Sequence, residues 1–574
     1  MSASQQPPPL STPQLRELAN KAVELLSSTA RLARGSWLKA RELLLDAATG
    51  AVALFTWGYL VSRLGLKAIA PEGAPVYKAL YTPMGSWGLA LWLACLVAAA
   101  ARLGARYLAL ALPALTLAAG SPAGLLASST LVAGAHWVKG WRRALRGLAL
   151  SVIVVEALAL AGQAARVARA DVPVLREAVQ WDLTLRLWLM PSMPVLLIVF
   201  LVSGYLRVGL KILGIPDHAK LGSNPPHRGG KWLVLLGASI AVAIGLTVYS
   251  PWLNPSGRLV GVDPREYYIK MIEKMLECGT PLAVTYYPER PLFRALAFSL
   301  AVILGLHLAL KLLLPITLTA YTLSAYFIVE KLLNIENACL VAILAPLSYT
   351  SVVGILAGFY ANMLSTSLCL IALILAERLF RNPAARNLVA FMIAYELAIY
   401  MHAYMALLFS AILFLSYLLR RERSSLLIMS IALIGALQAY LLIRGFVAQE
   451  TVRTASATYQ LFTPLWWKGL EKVVFHLYSA ATADLTTWLL ALIGTLTTNS
   501  LPLIIWMLAS GSLSILAAPQ DWQLRSRALY AVPVCIYQIA GLSAINKSGA
   551  TANWIPFLAL LLEANYAVNY IITL

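Results

Sequence analysis

Residues Trp232 to Tyr249, "WLVLLGASIAVAIGLTVY", carry no charge over about the length a helix needs to cross the hydrocarbon core of a bilayer. Comparable apolar runs recur near 47–66, 87–102, 105–119, 122–138, 147–165 and 187–206. An ordinary soluble domain cannot bury that many. Composition agrees: 60% of the 574 residues are hydrophobic and only 12% are charged, with a mean hydropathy of +0.75. The expected fold class is an all-α polytopic membrane protein.

The formal net charge of +20 is the second constraint. Lysine and arginine gather in short loops beside the apolar runs and form no extended basic face interleaved with aromatics, so nucleic acid is not the expected partner. Orientation in the membrane and anionic lipid account for the charge. "KGWRRALR" (Lys139 to Arg146) and the stretch with Arg207, Lys211, Lys220, Arg228 and Lys231 are both expected on the cytoplasmic side. With a cytoplasmic N-terminus, the helix at 232–249 then runs outward and "VDPREYY" emerges on the extracytoplasmic face of the cell membrane. The opening "MSASQQPPPLSTPQ" is polar and proline-rich, so no cleavable signal peptide is expected. Cys95, Cys278, Cys339, Cys369 and Cys535 are scattered singly and suggest neither a metal set nor a disulfide framework.

The chain divides by pattern into a disordered stretch 1–13, an amphipathic interfacial helix 14–46, an N-terminal membrane region 47–231 of about six helices, and a membrane domain 232–574. Two outer loops are expected in the last part, at 250–290 and 445–485. Within the first, "EYYIKMIEKMLE" places Tyr268, Met271, Ile272 and Met275 at helical spacing, which predicts an amphipathic helix. "NLVAFMIAYELAIYMHAYMALLFSAILFLSYLLRRER" exceeds one crossing and is basic at both ends. It reads as a helical hairpin with its tip near His402 and Tyr404.

An aspartate just beyond an outward-running helix, tyrosines after it, and then "YYPERPLFRALAF" (Tyr286 to Phe298) resemble the GT-C fold of polytopic glycosyltransferases, such as the aminoarabinose and protein O-mannosyl transferases. The likeness covers roughly residues 228–420 and leaves the first 230 residues as an extra N-terminal multi-helix membrane region. It implies a GT-C-like helical bundle with extracytoplasmic loops, and a sugar taken from a polyprenyl-phosphate donor and moved to an extracytoplasmic acceptor.

Such a transfer needs a carboxylate to deprotonate or orient the acceptor and positive charge to hold the departing phosphate. Asp263 and Glu266 are the expected catalytic pair; three residues apart, they would share a face if the loop is helical, and they are the residues that would face a divalent metal if one is used. Against this stands a plain helix start, with Asp263 as its cap and Pro264 at the first helical position. Arg290 and Arg294 are candidates to clamp the lipid phosphate, or arginines that snorkel to head groups. His402 and Tyr404 are expected to contribute to substrate binding. Where many GT-C enzymes place a second acid, "GFYANM" offers Asn362, which can orient a hydroxyl but cannot act as a base.

Two other functions compete. A non-catalytic GT-C-like scaffold would explain Asn362, with the N-terminal helices docking a membrane protein partner. A lipid or solute transporter or flippase would use Glu156 and Glu396, but no internal repeat supports it, and no phosphate-binding Gly-x-x-x-x-Gly-Lys-Ser/Thr loop supports a pump.

Overall fold

The computed structural model of the protein describes residues 39–57, 86–107, 122–189, 193–213, 230–281, 289–333, 338–420, 422–451, 485–516, 531–547 and 554–572, together with residues 36, 109 and 335. All regular structure among them is helical. Five helical segments are long and apolar enough to cross a membrane: Arg146–Val167, Leu306–Leu333, Leu340–Ala357, Tyr360–Arg381 and Ser424–Arg444. The described residues form two compact units, one comprising 39–57, 86–107 and 122–155 and the other those from Glu156 onward. The last part of the helix that contains Glu156, and the helices after it, thus cluster with residues 232–574. The expected disordered segment 1–13, most of the interfacial helix and much of the run at 105–119 lie outside the described residues.

The first unit holds α1 (39–57), α2 (Ser86–Leu103) and the first part of α3 (Pro122–Val167). Here "KGWRRALR" is no loop. It is helical apart from Gly140, whose extended backbone (φ 179°, ψ 83°) kinks α3 between the two expected runs. The carboxylate of Asp46, 1% exposed, joins the three helices by accepting from Arg102 and from both Nε and Nη2 of Arg146. Packing is close because α1 and α3 meet at glycines: a Cβ on Gly50 would lie 2.1 Å from the Gly147 carbonyl.

In the second unit, α4 (Pro173–Leu189), α5 (Met193–Ile212) and α6 (Lys231–Thr247) lead to a π-turn at Pro264–Tyr268 that continues into α7 (Ile269–Cys278). Met271, Ile272 and Met275 of α7 are buried with Tyr268, the face expected from their spacing. The segment from Pro291 to Leu313 is broken at a glycine. It gives α8 (Pro291–Leu304), then Gly305 at φ 81°, then α9 (Leu306–Ile328). At 1.5 Å per residue α8 spans about 21 Å, short of a hydrocarbon core of about 30 Å.

Next come α10 (Leu340–Leu347), α11 (Tyr349–Ala357), α12 (Tyr360–Arg381), α13 (Ala385–Met401), α14 (Ala403–Leu418) and α15 (Arg423–Thr451). The expected hairpin is present: α13 and α14 are separated by His402 alone, in extended conformation, and fold back so that Tyr395 Oη meets Ser410 Oγ at 2.5 Å. Most of the outer loop expected at 445–485, residues 452 to 484, lies outside the described residues. Beyond it are α16 (Leu485–Thr497), α17 (Leu501–Leu516), α18 (Val534–Lys547) and α19 (Trp554–Ile572).

Small residues again set the closest helix contacts. A Cβ on Gly237 of α6 would sit 2.2 Å from the Ala342 carbonyl of α10, and one on Gly494 of α16 would sit 1.8 Å from the Tyr537 carbonyl of α18. Such contacts let backbones approach where no hydrophobic drive between helices operates. Outward faces stay apolar: Leu426, Leu433, Ile434, Leu437 and Leu441 of α15 are all more than half exposed. A row of that kind suits lipid contact and is unfavourable in water.

Candidate functional site

The segment after α6 is held by two glycines that admit no side chain. Gly261 (φ 95°) packs on Gly358 (φ 75°), and a Cβ on Gly358 would stand 2.0 Å from Pro264 Cδ. Both backbones are in the left-handed region that glycine adopts freely. This contact fixes where the π-turn begins and therefore where Asp263 lies. We expect Gly358→Ala to push Pro264 away, destabilise the protein by about 1–3 kcal/mol and move Asp263; thermal unfolding in detergent checks this, and an unchanged midpoint would show that the contact is dispensable.

The π-turn decides which side chain meets Asp263. Its backbone closes five residues apart, with Ile269 N donating to Pro264 O, so the residue brought over Asp263 is Tyr268 and not Glu266. Tyr268 Oη donates to Asp263 Oδ2 at 3.3 Å. Asp263 is 6% exposed, whereas Glu266 is exposed, so the expected carboxylate pair does not form. Nor does Asp263 cap the helix: its backbone is already helical and its side chain makes no capping bond.

Arg290 supplies the counter-charge. Its Nη1 donates to Tyr268 Oη at 3.3 Å and lies 3.8 Å from Asp263 Oδ2, while its Nε is 3.2 Å from Glu289 Oε1. Arg290 and Glu289 are 2% and 1% exposed. An ion cluster this dry persists only when each charge is compensated. Arg294, one helical turn on, is buried and donates through Nη2 to the Pro281 carbonyl. Burial lowers the pKa of its guanidinium and the Glu289 carboxylate opposes that. Arg290 and Arg294 are thus interior groups in this structure, in place of the snorkelling or lipid-facing positions expected for them.

The hairpin tip reaches the same cluster through backbone. Ala403 N donates to the Glu289 carbonyl at 3.0 Å, and His402, fully buried, accepts at Nδ1 from Met405 N at 3.3 Å as the cap of α14. Tyr404 is half-buried, its ring 6.0 Å from that of His402. Asn362 is buried in α12, two residues beyond Tyr360. Two residues turn a helix by about 200°, so Asn362 and Tyr360 occupy opposed faces.

Tyr360, the first residue of α12, joins the cluster. Its ring is 6.0 Å from Tyr268, and its hydroxyl donates to the Val260 carbonyl at 3.3 Å and lies 3.4 Å from Tyr249 Oη. Lys311 of α9 stands over the Tyr249 ring, its Nζ 5.6 Å from the centroid. A row therefore runs from the Lys311 amine through Tyr249, Tyr360 and Tyr268 to Asp263 and Arg290. Sequence reasoning missed Glu289, Tyr360 and Lys311, although Glu289 sits beside Arg290 in the quoted "YYPERPLFRALAF".

The residues do not fit a protein-held divalent metal. Among the described residues no three His, Cys, Asp or Glu side chains gather as ligands, Glu266 does not join Asp263, and the group beside Asp263 is a guanidinium, which repels a cation. No protein-family model and no curated protein matches the chain.

Proposed function

We propose that the chain is a multi-pass membrane glycosyltransferase that moves a sugar from a polyprenyl-phosphate donor to an acceptor hydroxyl on the extracytoplasmic side, with Asp263 as the base. The observation that carries the reading is the row from Lys311 to Asp263, with an amine at one end and a carboxylate at the other. Tyr268 and Arg290 hold Asp263 in one orientation, with a guanidinium nitrogen 3.8 Å from its carboxylate. The acceptor hydroxyl gives its proton to Asp263 as its oxygen bonds to the sugar's anomeric carbon. The bond from that carbon to the phosphate oxygen breaks, and its electron pair leaves with the polyprenyl phosphate.

Positive charge at the departing phosphate falls to Lys311 in this reading, because Arg290 and Arg294 are engaged inside the protein. Lys311 is half-buried near the start of α9 and makes no ion pair among the described residues. Of the tyrosines between it and Asp263, only Tyr249 is partly exposed and able to face a sugar, whereas Tyr268 and Tyr360 are buried and shape the wall behind it.

The test is release of polyprenyl phosphate from polyprenyl-phosphate hexose or pentose by membranes containing the protein, with a panel of hydroxyl acceptors. Acceptor-dependent release above that of membranes lacking the protein supports the reading. A non-catalytic scaffold is the second reading, favoured by the burial of Asp263 and its ion pairing with Arg290. It predicts no release with any donor.

A further inference from the structure

Helices α3 and α4 of the second unit meet across a short turn whose backbone is unusual. Ala170 N bonds to Ala165 O at 2.8 Å and Arg169 N to Arg166 O at 3.1 Å, a helix ending that places one residue in the left-handed region. That residue is Arg169, with φ 57°, the one non-glycine residue of positive φ among the described residues. Glycine is the usual occupant, since an L side chain is disfavoured there. An arginine kept at such a position asks for a use of its guanidinium.

A cavity of about 450 Å³ opens at this turn, lined by three arginines, Arg166, Arg169 and Arg176, and by one acid, Asp171. Asp171 is 3.2 Å from Arg176. Arg166 and Arg169 are exposed and make no ion pair among the described residues. The cleft closes where Gly162 of α3 lets α4 approach: a Cβ there would stand 2.3 Å from the Leu175 carbonyl. The negative end of α3 and the positive end of α4 lie side by side and offset each other, so the guanidinia set the sign of the cavity.

Membrane orientation alone does not account for these arginines. The apolar stretch 147–165 has Lys139, Arg142, Arg143 and Arg146 before it and Arg166, Arg169 and Arg176 after it. One crossing puts one of the two sets on the face where short basic loops are disfavoured. Guanidinium groups match the oxygens of phosphate in a fixed planar geometry, and Ala165, Val172, Leu175 and Val179 make the rest of the lining apolar.

We propose that the turn between α3 and α4 binds a phosphate-bearing anion through Arg166, Arg169 and Arg176. The proposal stands apart from the transferase reading, since it uses none of the residues around Asp263. The full chain in dodecyl maltoside is titrated with phosphatidylglycerol by native mass spectrometry and with inorganic phosphate by calorimetry, as parent, Arg169→Gly and Arg166→Gln. Glycine relieves the left-handed strain, so Arg169→Gly should unfold at the same or a higher temperature while binding phosphatidylglycerol about tenfold more weakly. Displacement of the lipid by inorganic phosphate would identify a site filled by free phosphate, and failure to displace it a lipid head group. Parent affinities retained in both variants, or binding of neither ligand by the parent, would overturn the proposal.

Discussion

Replacing Arg290 by methionine should cost about 3–5 kcal/mol of stability, the largest effect expected of any substitution at the candidate site. The side chain is 2% exposed and lies within 4 Å of two carboxylates, Asp263 Oδ2 at 3.8 Å and Glu289 Oε1 at 3.2 Å. Methionine fills much of the volume but leaves both acids buried without their cation. Tyr268 also loses the donor at 3.3 Å that orients its hydroxyl. Lysine should recover only part of the loss, because one ammonium cannot address Asp263, Tyr268 and Glu289 with the fixed fork of a guanidinium. Thermal unfolding of the purified variants in detergent measures this. A double change of Glu289→Gln with Arg290→Met should be less damaging than the sum of the two single changes, since it removes one of the stranded charges. Equal stability of parent and Arg290→Met would mean that the cluster contributes nothing to the fold.

The helical class, the apolar face of α7 and the fold-back at His402 were legible because each is a local pattern: uncharged runs, spacing of Tyr268, Met271, Ile272 and Met275, and a basic-to-basic stretch too long for one crossing. The arrangement at Asp263 was not legible, and the reason is physical. A π-turn replaces an ordinary helical start, so the residue brought to Asp263 is five positions on and not three. What selects that turn is Gly358, remote in sequence, whose missing side chain makes room for Pro264. The role of Glu289 depends likewise on a backbone bond from Ala403. "KGWRRALR" misleads in the opposite way, since its basic residues suggest a loop while the buried carboxylate of Asp46 pairs with Arg146 inside a helix. The positions of Arg290 and Arg294 were misjudged because arginine at a helix start reads equally as interior or lipid-facing until its partners are known.

Asp263→Asn tests the chemistry with little disturbance of the structure. Asparagine keeps the size of the side chain and an oxygen to accept from Tyr268 Oη, and Arg290 retains Glu289 as its partner. The stability cost should therefore stay near 1–3 kcal/mol, below that of Arg290→Met. What asparagine cannot do is take the acceptor's proton, so transfer should fall about a hundredfold or more. Glu266→Gln, on an exposed side chain that does not pair with Asp263, should leave transfer close to that of the parent. The decisive measurement is the rate of sugar transfer from a polyprenyl-phosphate donor by purified parent and Asp263→Asn, with unfolding recorded on the same samples. The account predicts measurable transfer by the parent and a loss of about two orders of magnitude in a folded Asp263→Asn; equal rates for the two, or a parent that transfers from no donor to any acceptor, would contradict it.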